Sequence, residues 1–243
     1  MTDIHSHIIF NVDDGSKSIE ESLALLKKMK EAGFDNIITT PHYIANSEYN
    51  ANNDLKLTKL KSIKRAISKQ KLDINIYLGN EIYINNHMLD DLKKGNAYSL
   101  NNSKYLLFEI PFHNQILNLS DIIHELKIAG YIPILAHPER YDFFQDNPKL
   151  IDELKADGLL LQCNFASILG FYNRRSKKLM KYLLKKRYVD YLGTDVHRIN
   201  NTYTLDHMDK ILKKISKITG PEYLTEILKN ADDILKEESM NSL

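Results

Sequence analysis

Residues 1–7 read Met1-Thr2-Asp3-Ile4-His5-Ser6-His7, an extended run that closes on two histidines one residue apart. Side chains alternate along an extended chain, so His5 and His7 point the same way and form a pincer for one divalent ion. An acidic pair, Asp13-Asp14-Gly15, follows within one loop. Similar punctuation ends later apolar runs: Pro41-His42, Gly79-Asn80-Glu81, Phe108-Glu109, Ala136-His137-Pro138 and Thr194-Asp195-Val196-His197. In parallel αβ barrels the chemistry collects at the carboxyl ends of the strands. A chain that sets His, Asp or Glu at one strand end after another therefore builds a metal centre at one end of a barrel. The pattern predicts a metal-dependent hydrolase.

Working outward, short β-like runs alternate with longer helix-like runs. The strand candidates are Met1–His5, Asn36–Thr40, Asn75–Gly79, Tyr105–Ile110, Tyr131–Ala136, Gly158–Cys163 and Val189–Gly193. Between them, apolar residues recur at helical spacing over Ser18–Ala32, Leu55–Lys69, Leu119–Ala129, Pro148–Lys155 and Ser176–Arg187. Ser18 and Glu21 have the spacing of a capping box, and Gly33 and Gly130 sit where left-handed C-caps belong. Strand–helix alternation implies parallel strands joined by crossovers, in about seven units, one fewer than the eight of a standard barrel. The chain from Leu205 reads as helix alone, broken at Gly220-Pro221. No linker or repeat interrupts the sequence, so residues 1–243 are expected to form one domain, with 205–243 a helical extension.

Composition narrows the function. A formal net charge of +1 over 243 residues argues against a nucleic-acid binder. No apolar stretch approaches membrane-spanning length, and the expected location is the cytoplasm without stable membrane insertion. Cys163 is the only cysteine, which excludes an internal disulfide. A thiol phosphatase needs an arginine six positions after its cysteine; position 169 is Leu169, so Cys163 reads as a buried strand residue. Any phosphatase activity must come from metals.

His5, His7, Asp14, His42, Glu81, Glu109, His137, Asp195 and His197 are too many ligands for one ion. Two or three ions sharing carboxylates are the natural solution, with Mn²⁺, Fe²⁺ or Zn²⁺ suited to the nitrogen and oxygen donors. Alone, each residue is an ordinary hydrogen-bonded histidine or a solvated carboxylate. Nine such explanations would have to coincide at one end of one fold. Between Asp13 and Asp14 the residues do not choose: one ligates while the other caps the Gly15 turn. Arg140, three residues past His137, is the substrate-binding candidate, a bidentate phosphate clamp rather than a surface ion pair. His113 is expected to line the pocket, whereas His124 and His207 read as surface positions. The basic run from Lys177 to Arg187 could meet an acidic partner or a membrane, but the apolar spacing of Leu179, Tyr182 and Leu183 reads as an amphipathic helix with a solvated face.

The strings Asp3–His7, Asn11–Ser16, Thr40–Tyr43, Gly79–Tyr83, Phe108–Phe112, Ala136–Arg140 and Gly193–His197, in this order, resemble the polymerase and histidinol phosphatase (PHP) superfamily. They are most similar to its bacterial tyrosine-protein phosphatase branch, which accompanies capsular and exopolysaccharide synthesis. The resemblance runs from Met1 to about Arg198 and implies a distorted seven-stranded TIM-like barrel holding three ions, usually manganese, with iron or zinc compatible. It implies that His5, His7, Asp195 and a bridging Glu81 hold one ion. Glu81, Glu109 and His137 would hold the second, and Asp14, His42 and His197 the third, which selects Asp14 over Asp13. Arg140 matches the family's phosphate-binding arginine. Two departures stand out: Tyr43 occupies a position often held by histidine, and the loop that often carries a second arginine reads Arg198-Ile199-Asn200-Asn201-Thr202. Arg198 is the candidate in its place, close to the last ligand.

The expected reaction is hydrolysis of a phosphate monoester by a metal-bound hydroxide, with Arg140, His42 and His197 carrying catalysis and Arg140 and Arg198 holding the substrate. The expected substrate is a phosphotyrosyl protein, a polysaccharide-assembly tyrosine kinase. Two other readings share the motifs: a histidinol-phosphate or other small-ester phosphatase, and a non-catalytic metal-stabilised interaction module. An oligomer is compatible with all three.

Overall fold

Each of the seven apolar runs contains a strand in the computed structural model, which describes residues 1–114 and 116–237. The strands are β1 (Thr2–Asp3), β2 (Asn36–Thr39), β3 (His42–Tyr43), β4 (Asn75–Leu78), β5 (Glu81–Tyr83), β6 (Tyr105–Glu109), β7 (Ile132–Ala136), β8 (Leu160–Asn164) and β9 (Tyr191–Gly193). The helices are α1 (Ile19–Glu31), α2 (Asn53–Lys69), α3 (Met88–Lys93), α4 (Leu119–Ile128), α5 (Asp142–Asp146), α6 (Lys149–Ala156), α7 (Arg174–Lys186), α8 (Tyr203–Asp206), α9 (Met208–Thr219) and α10 (Pro221–Ile234). The α/β class holds, and all strand pairs are parallel.

The strands differ from the expected seven in one respect. They form a three-stranded sheet, β1-β2-β4, and a six-stranded half-barrel, β3-β5-β6-β7-β8-β9. The runs that hold β2 and β4 continue, after a break, as β3 and β5. At the first break Pro41 has no amide hydrogen to give a ladder. At the second, Asn80 replaces the ladder with its side chain, donating to Pro41 O at 2.7 Å and accepting from Tyr98 N at 2.9 Å. Strands this short, two and three residues, carry no periodicity to read in sequence.

The helix α1 shows how local chemistry sets an element. Ser18 accepts from the amide of Glu21 at 3.2 Å, a cap worth about 1 kcal/mol. The return bond of the capping box is shifted by one residue: Glu21 accepts from the amide of Lys17 at 2.9 Å rather than from Ser18. Leu23, Leu25, Leu26 and Met29 form the buried face, and Gly33, at φ +94°, turns the chain out. The break in the C-terminal helices falls at Gly220-Pro221 as expected; residues 238–243 of that extension lie outside the described residues.

Two apolar clusters organise the interior. The larger packs the helices on the outside of the strands. The smaller gathers Ile4, Ile38, Leu107, Ile134 and Tyr191 inside them, and α10 closes it with Ala231 and Ile234. The C-terminal helix is thus part of the core, tied further by Tyr223 Oη donating to Val189 O at 2.8 Å. Among the described residues no helix is long and apolar enough to cross a membrane. Cys163 is fully buried in β8, and burial followed by the Glu139 carboxylate pushes its thiol well above the ordinary range.

Candidate metal centre

Two close approaches bring the first strand to the rest of the site. A Cβ at Gly15 would lie 2.3 Å from His7 O, and one at Gly193 would lie 2.7 Å from the Cβ of His5. Only glycine lets these two backbones approach the histidine run so closely. The chain then closes on itself: the amide of Asp195 donates to His5 O at 2.8 Å, and the amide of His7 donates to Val196 O at 2.9 Å. His137 and Asp195 both sit in the left-handed region, at φ 36° and 52°, conformations that non-glycine residues keep only where their surroundings enforce them.

All nine residues expected as ligands converge in one place. Their donor atoms fall into four overlapping groups: His7, Asp14, His42 and His197; His5, His7 and Glu81; His5, His137 and Asp195; His42, Glu81 and Glu109. Within each group the donor atoms lie within 4.8 Å of one another. Glu81 is the hub. Its Oε2 stands 3.0 Å from His42 Nδ1, 3.2 Å from His5 Nε2 and 3.4 Å from His7 Nε2, while Oε1 lies 2.8 Å from His137 Nε2. Asp195 faces two ways: Oδ1 lies 3.5 Å from both His5 Nε2 and His197 Nδ1, and Oδ2 accepts from Arg140 Nη1 at 2.9 Å.

The histidines are locked from behind. His5 Nδ1 lies 2.7 Å from Gln162 Oε1, His7 Nδ1 2.7 Å from Asp13 Oδ2, and His197 Nδ1 3.0 Å from Asp195 O. An oxygen acceptor at Nδ1 keeps the proton there and turns the Nε2 lone pair inward, as metal-bound histidines require. The consequence is visible in the centre, where His5 Nε2 and His7 Nε2 face each other at 3.4 Å. Buried His42 Nδ1 and Glu81 Oε2 stand 3.0 Å apart without hydrogen-bond geometry, and neither has another hydrogen-bond partner among the described residues. Lone pairs converging on one buried space, together with orphaned donor atoms, fit divalent cations.

Electrostatics agree. Burial opposes charge on His5, yet Glu81 and then Asp195 outweigh it and raise its imidazole to about 10. His42 is likewise raised well above its usual value against its burial, by Glu81 and Glu109. Burial would lift Asp13, but His7 holds it down to about 2. A buried cluster that draws protons this strongly offers the same potential to metal ions.

Asp13 and Asp14 divide their work. Asp13 accepts from the amides of Gly15 and His42, both at 2.9 Å, besides holding His7. Asp14 faces the centre, 3.6 Å from His42 Nε2 and 3.5 Å from His197 Nε2. Arg140 is stacked between two rings, 4.8 Å from the centroid of Phe112 and 4.5 Å from that of Tyr172. Arg198 lies at the rim, its Nε donating to Glu21 Oε1 at 2.8 Å. His113 does not line the centre: its side chain is 83% exposed and pairs with Asp142. His124 is exposed, whereas His207 is half-buried and stacks on Tyr203.

Several supporting residues escaped sequence reasoning. Gln162 and Asn164 are buried on β8; Asn164 Nδ2 donates to Asp195 Oδ2 at 2.7 Å and to Tyr172 Oη at 2.8 Å. Glu139 accepts from the amide of Asn164 and from Ser167 Oγ, fixing the loop that carries Tyr172. Two polar residues at alternate positions of an apolar strand were the available signal.

The whole described chain has close counterparts. The family model described as capsular polysaccharide synthesis, CpsB/CapC, matches residues 1–236. The CapC protein of Staphylococcus aureus is 35% identical over 201 residues, covering 83% of this chain and 78% of that protein. The tyrosine-protein phosphatase CpsB of Streptococcus pneumoniae is 33% identical over 227 residues, covering 88% and 90%. A solved structure belongs to a pair, YwqE of Bacillus subtilis and CpsB of Streptococcus pneumoniae, described as metal-dependent tyrosine phosphatases. It matches with a TM-score of 0.90 at 28% identity, over 97% of this chain and 94% of its own.

Proposed function

The chain belongs to the CpsB/CapC family of capsular polysaccharide synthesis, and on that premise we propose that it is a metal-dependent protein-tyrosine phosphatase. The observation that carries the reading is the buried centre of five imidazoles and four carboxylates beside an arginine stacked between aromatic rings. The proposed fold is one domain whose two sheets act as a single interrupted ring of seven strands, joined where Ser6 bridges Val196.

Three ions are proposed, with manganese the expected metal. His5, His7, Glu81 and Asp195 would hold one, Glu81, Glu109 and His137 the second, and Asp14, His42 and His197 the third. The position of His42 bears on this division, since its Nδ1 lies between Glu81 and Glu109 while its Nε2 faces Asp14. Ions bound there supply positive charge and a nucleophilic water at neutral pH. The protein's own residues do the rest. Arg140 presents a guanidinium fork to the phosphate oxygens, its plane fixed by Phe112 and Tyr172 and its charge by Asp195 Oδ2. Burial, and next the charge of Asp195, raise the Tyr172 phenol, so it stays protonated. His42 and His197 stand at the more open side of the cluster, where, as ligands of the third ion, they would set where its charge meets the ester. Arg198 adds a weaker cation at the rim. A phenolate leaves more readily than an alkoxide, its conjugate acid having a pKa near ~10, so aryl phosphates are the easier class. The proposed substrate is a phosphotyrosyl protein, a tyrosine kinase of polysaccharide assembly.

Phosphate release from a phosphotyrosyl peptide and from histidinol phosphate, side by side on chelator-stripped and manganese-reloaded protein, tests this reading. We expect activity only after reloading, strong preference for the peptide, and no turnover by His137→Ala. Preference for histidinol phosphate, or activity without metal, would overturn it.

A further inference from the structure

We propose that the lysine face shared by α7 and α9 is an exosite for an acidic stretch of the phosphoprotein, next to its phosphotyrosine. The proposal rests on the phosphatase reading above and names the kind of chain that site takes.

Charge is segregated in this molecule. The helix α7 carries seven cationic side chains and no acidic one, and α9 carries four lysines against one aspartate. With a net charge of only +1, the rest of the chain is net acidic. Arg175 is paired with Asp146, but Lys178, Lys181, Lys210, Lys213 and Lys217 have no carboxylate partner among the described residues. Lys177, Lys181, Lys210 and Lys214 crowd together instead: burial, then repulsion from Lys177, Lys181 and Lys210, lower the Lys214 ammonium. Like charges held together without counter-charges form a surface that an anionic partner relieves.

This face is continuous with the mouth of the site. Tyr172 stacks on Arg140, and its neighbour Phe171 is 39% exposed and stacks on Tyr203, at 4.9 Å between ring centroids. Gly170, the next residue back, lies under Lys177, whose Cδ would be 3.2 Å from a Cβ there. Consecutive Cα atoms are about 3.8 Å apart, so the step from Tyr172 to the first lysine is only two or three residues of extended peptide. A phosphotyrosine seated at Arg140 would therefore send its flanking chain over Phe171 and onto the lysines. An anionic membrane would also be attracted by the charge, but it gains nothing from adjacency to the pocket.

The experiment compares wild type with the Lys181→Gln/Lys210→Gln/Lys214→Gln variant, all three positions lying outside the catalytic machinery. Substrates are p-nitrophenyl phosphate, a phosphotyrosyl peptide flanked by Asp and Glu, and the same peptide flanked by Gln. On the acidic peptide kcat/KM should fall roughly tenfold, about twofold for each exposed ion pair, with the loss in KM and removed by added salt. The other two substrates should change less than twofold. Equal loss on all three substrates, or none on the acidic peptide, overturns the exosite. So does a variant that differs from wild type only in binding phosphatidylserine vesicles. If wild type turns over none of the three esters, the phosphatase reading fails, and anisotropy of a fluorescein-labelled acidic peptide on both proteins still decides the lysine face.

Discussion

The loops after β7 and β9 each present an arginine, and they hold it differently. Arg140 donates to Asp195 at 2.9 Å and Arg198 donates to Glu21 at 2.8 Å, so bond length does not separate them. The partner does. Asp195 belongs to the cluster of converging donor atoms, so Arg140 is aimed along a carboxylate whose other oxygen faces the imidazoles. Glu21 sits in the first turn of α1, and it also accepts from the amide of Ile199, so Arg198 is woven into a rim contact between two loops. Two aromatic rings lie against the Arg140 guanidinium, Phe112 and Tyr172, whereas the Arg198 side chain is 37% exposed. A guanidinium at a site acts through what fixes it, and only the first is fixed by the chemistry of the centre.

The largest effect should come from Arg140. Removing one preorganised donor to a developing charge costs about 10²–10³ in rate, so Arg140→Ala should lower kcat/KM on a phosphotyrosyl peptide by that factor. Arg140→Lys keeps a charge but loses the fork and the ring stacking, so it should recover only a small part of the loss. Steady-state kinetics of both variants against Arg198→Ala check the ranking. A larger loss for Arg198→Ala would reverse the comparison.

A third cation tests the same rule by lacking a carboxylate. Lys56 is completely buried, donating to Asn80 Oδ1 at 2.7 Å and to Asn96 O at 3.2 Å. Burial lowers its ammonium to about 7, with Asp13 only partly opposing. The unfolded chain, with an ordinary lysine near 10.5, then binds the proton more tightly than the folded one between about pH 7 and 10.5. The Lys56 contribution to stability should therefore rise with pH through that window, by roughly 2 kcal/mol from pH 7 to 9, opposite in sign to the contribution of the raised His5 imidazole. Urea unfolding of wild type and Lys56→Met across that range checks it: the stability of wild type relative to the variant should rise by that amount. An identical slope in both proteins would mean that Asn80 and Asn96 hold Lys56 charged.

Sequence reasoning reached the centre because its nine converging side chains sit beside strand ends, where residue type and topology speak together. His5 and His7 were legible from one-residue spacing alone. The groups behind those side chains were not, because Gln162, Glu139 and Tyr172 act through contacts between residues far apart in the chain. The division between Asp13 and Asp14 is of this kind: it depends on whether a carboxylate turns toward His7 Nδ1 or toward His42 and His197. The strand count slipped for a local reason, since Pro41 and Asn80 interrupt runs too short to carry a period. His113 was misplaced because nearness in sequence to Glu109 says nothing about the side on which a loop residue emerges; here it pairs outward with Asp142.

The smallest expected effect belongs to the rim. A half-exposed ion pair such as Arg198–Glu21 is worth at most about 1 kcal/mol, equivalent to less than ~5-fold in a rate or binding constant. Arg198→Ala should therefore lower kcat/KM by less than that, through KM, with kcat unchanged. Glu21→Gln separates two meanings of the contact. If Glu21 presents Arg198 to the incoming phosphate, the glutamine variant loses activity in the same direction, and the double variant is no worse than Arg198→Ala. If Glu21 competes with the phosphate for the guanidinium, the glutamine variant gains. The shared bond to Ile199 favours presentation, since one carboxylate oxygen holds both the arginine and the backbone beside it. We expect the loss, and a gain in kcat/KM for Glu21→Gln would show that the rim arginine is restrained where the stacked one is aimed.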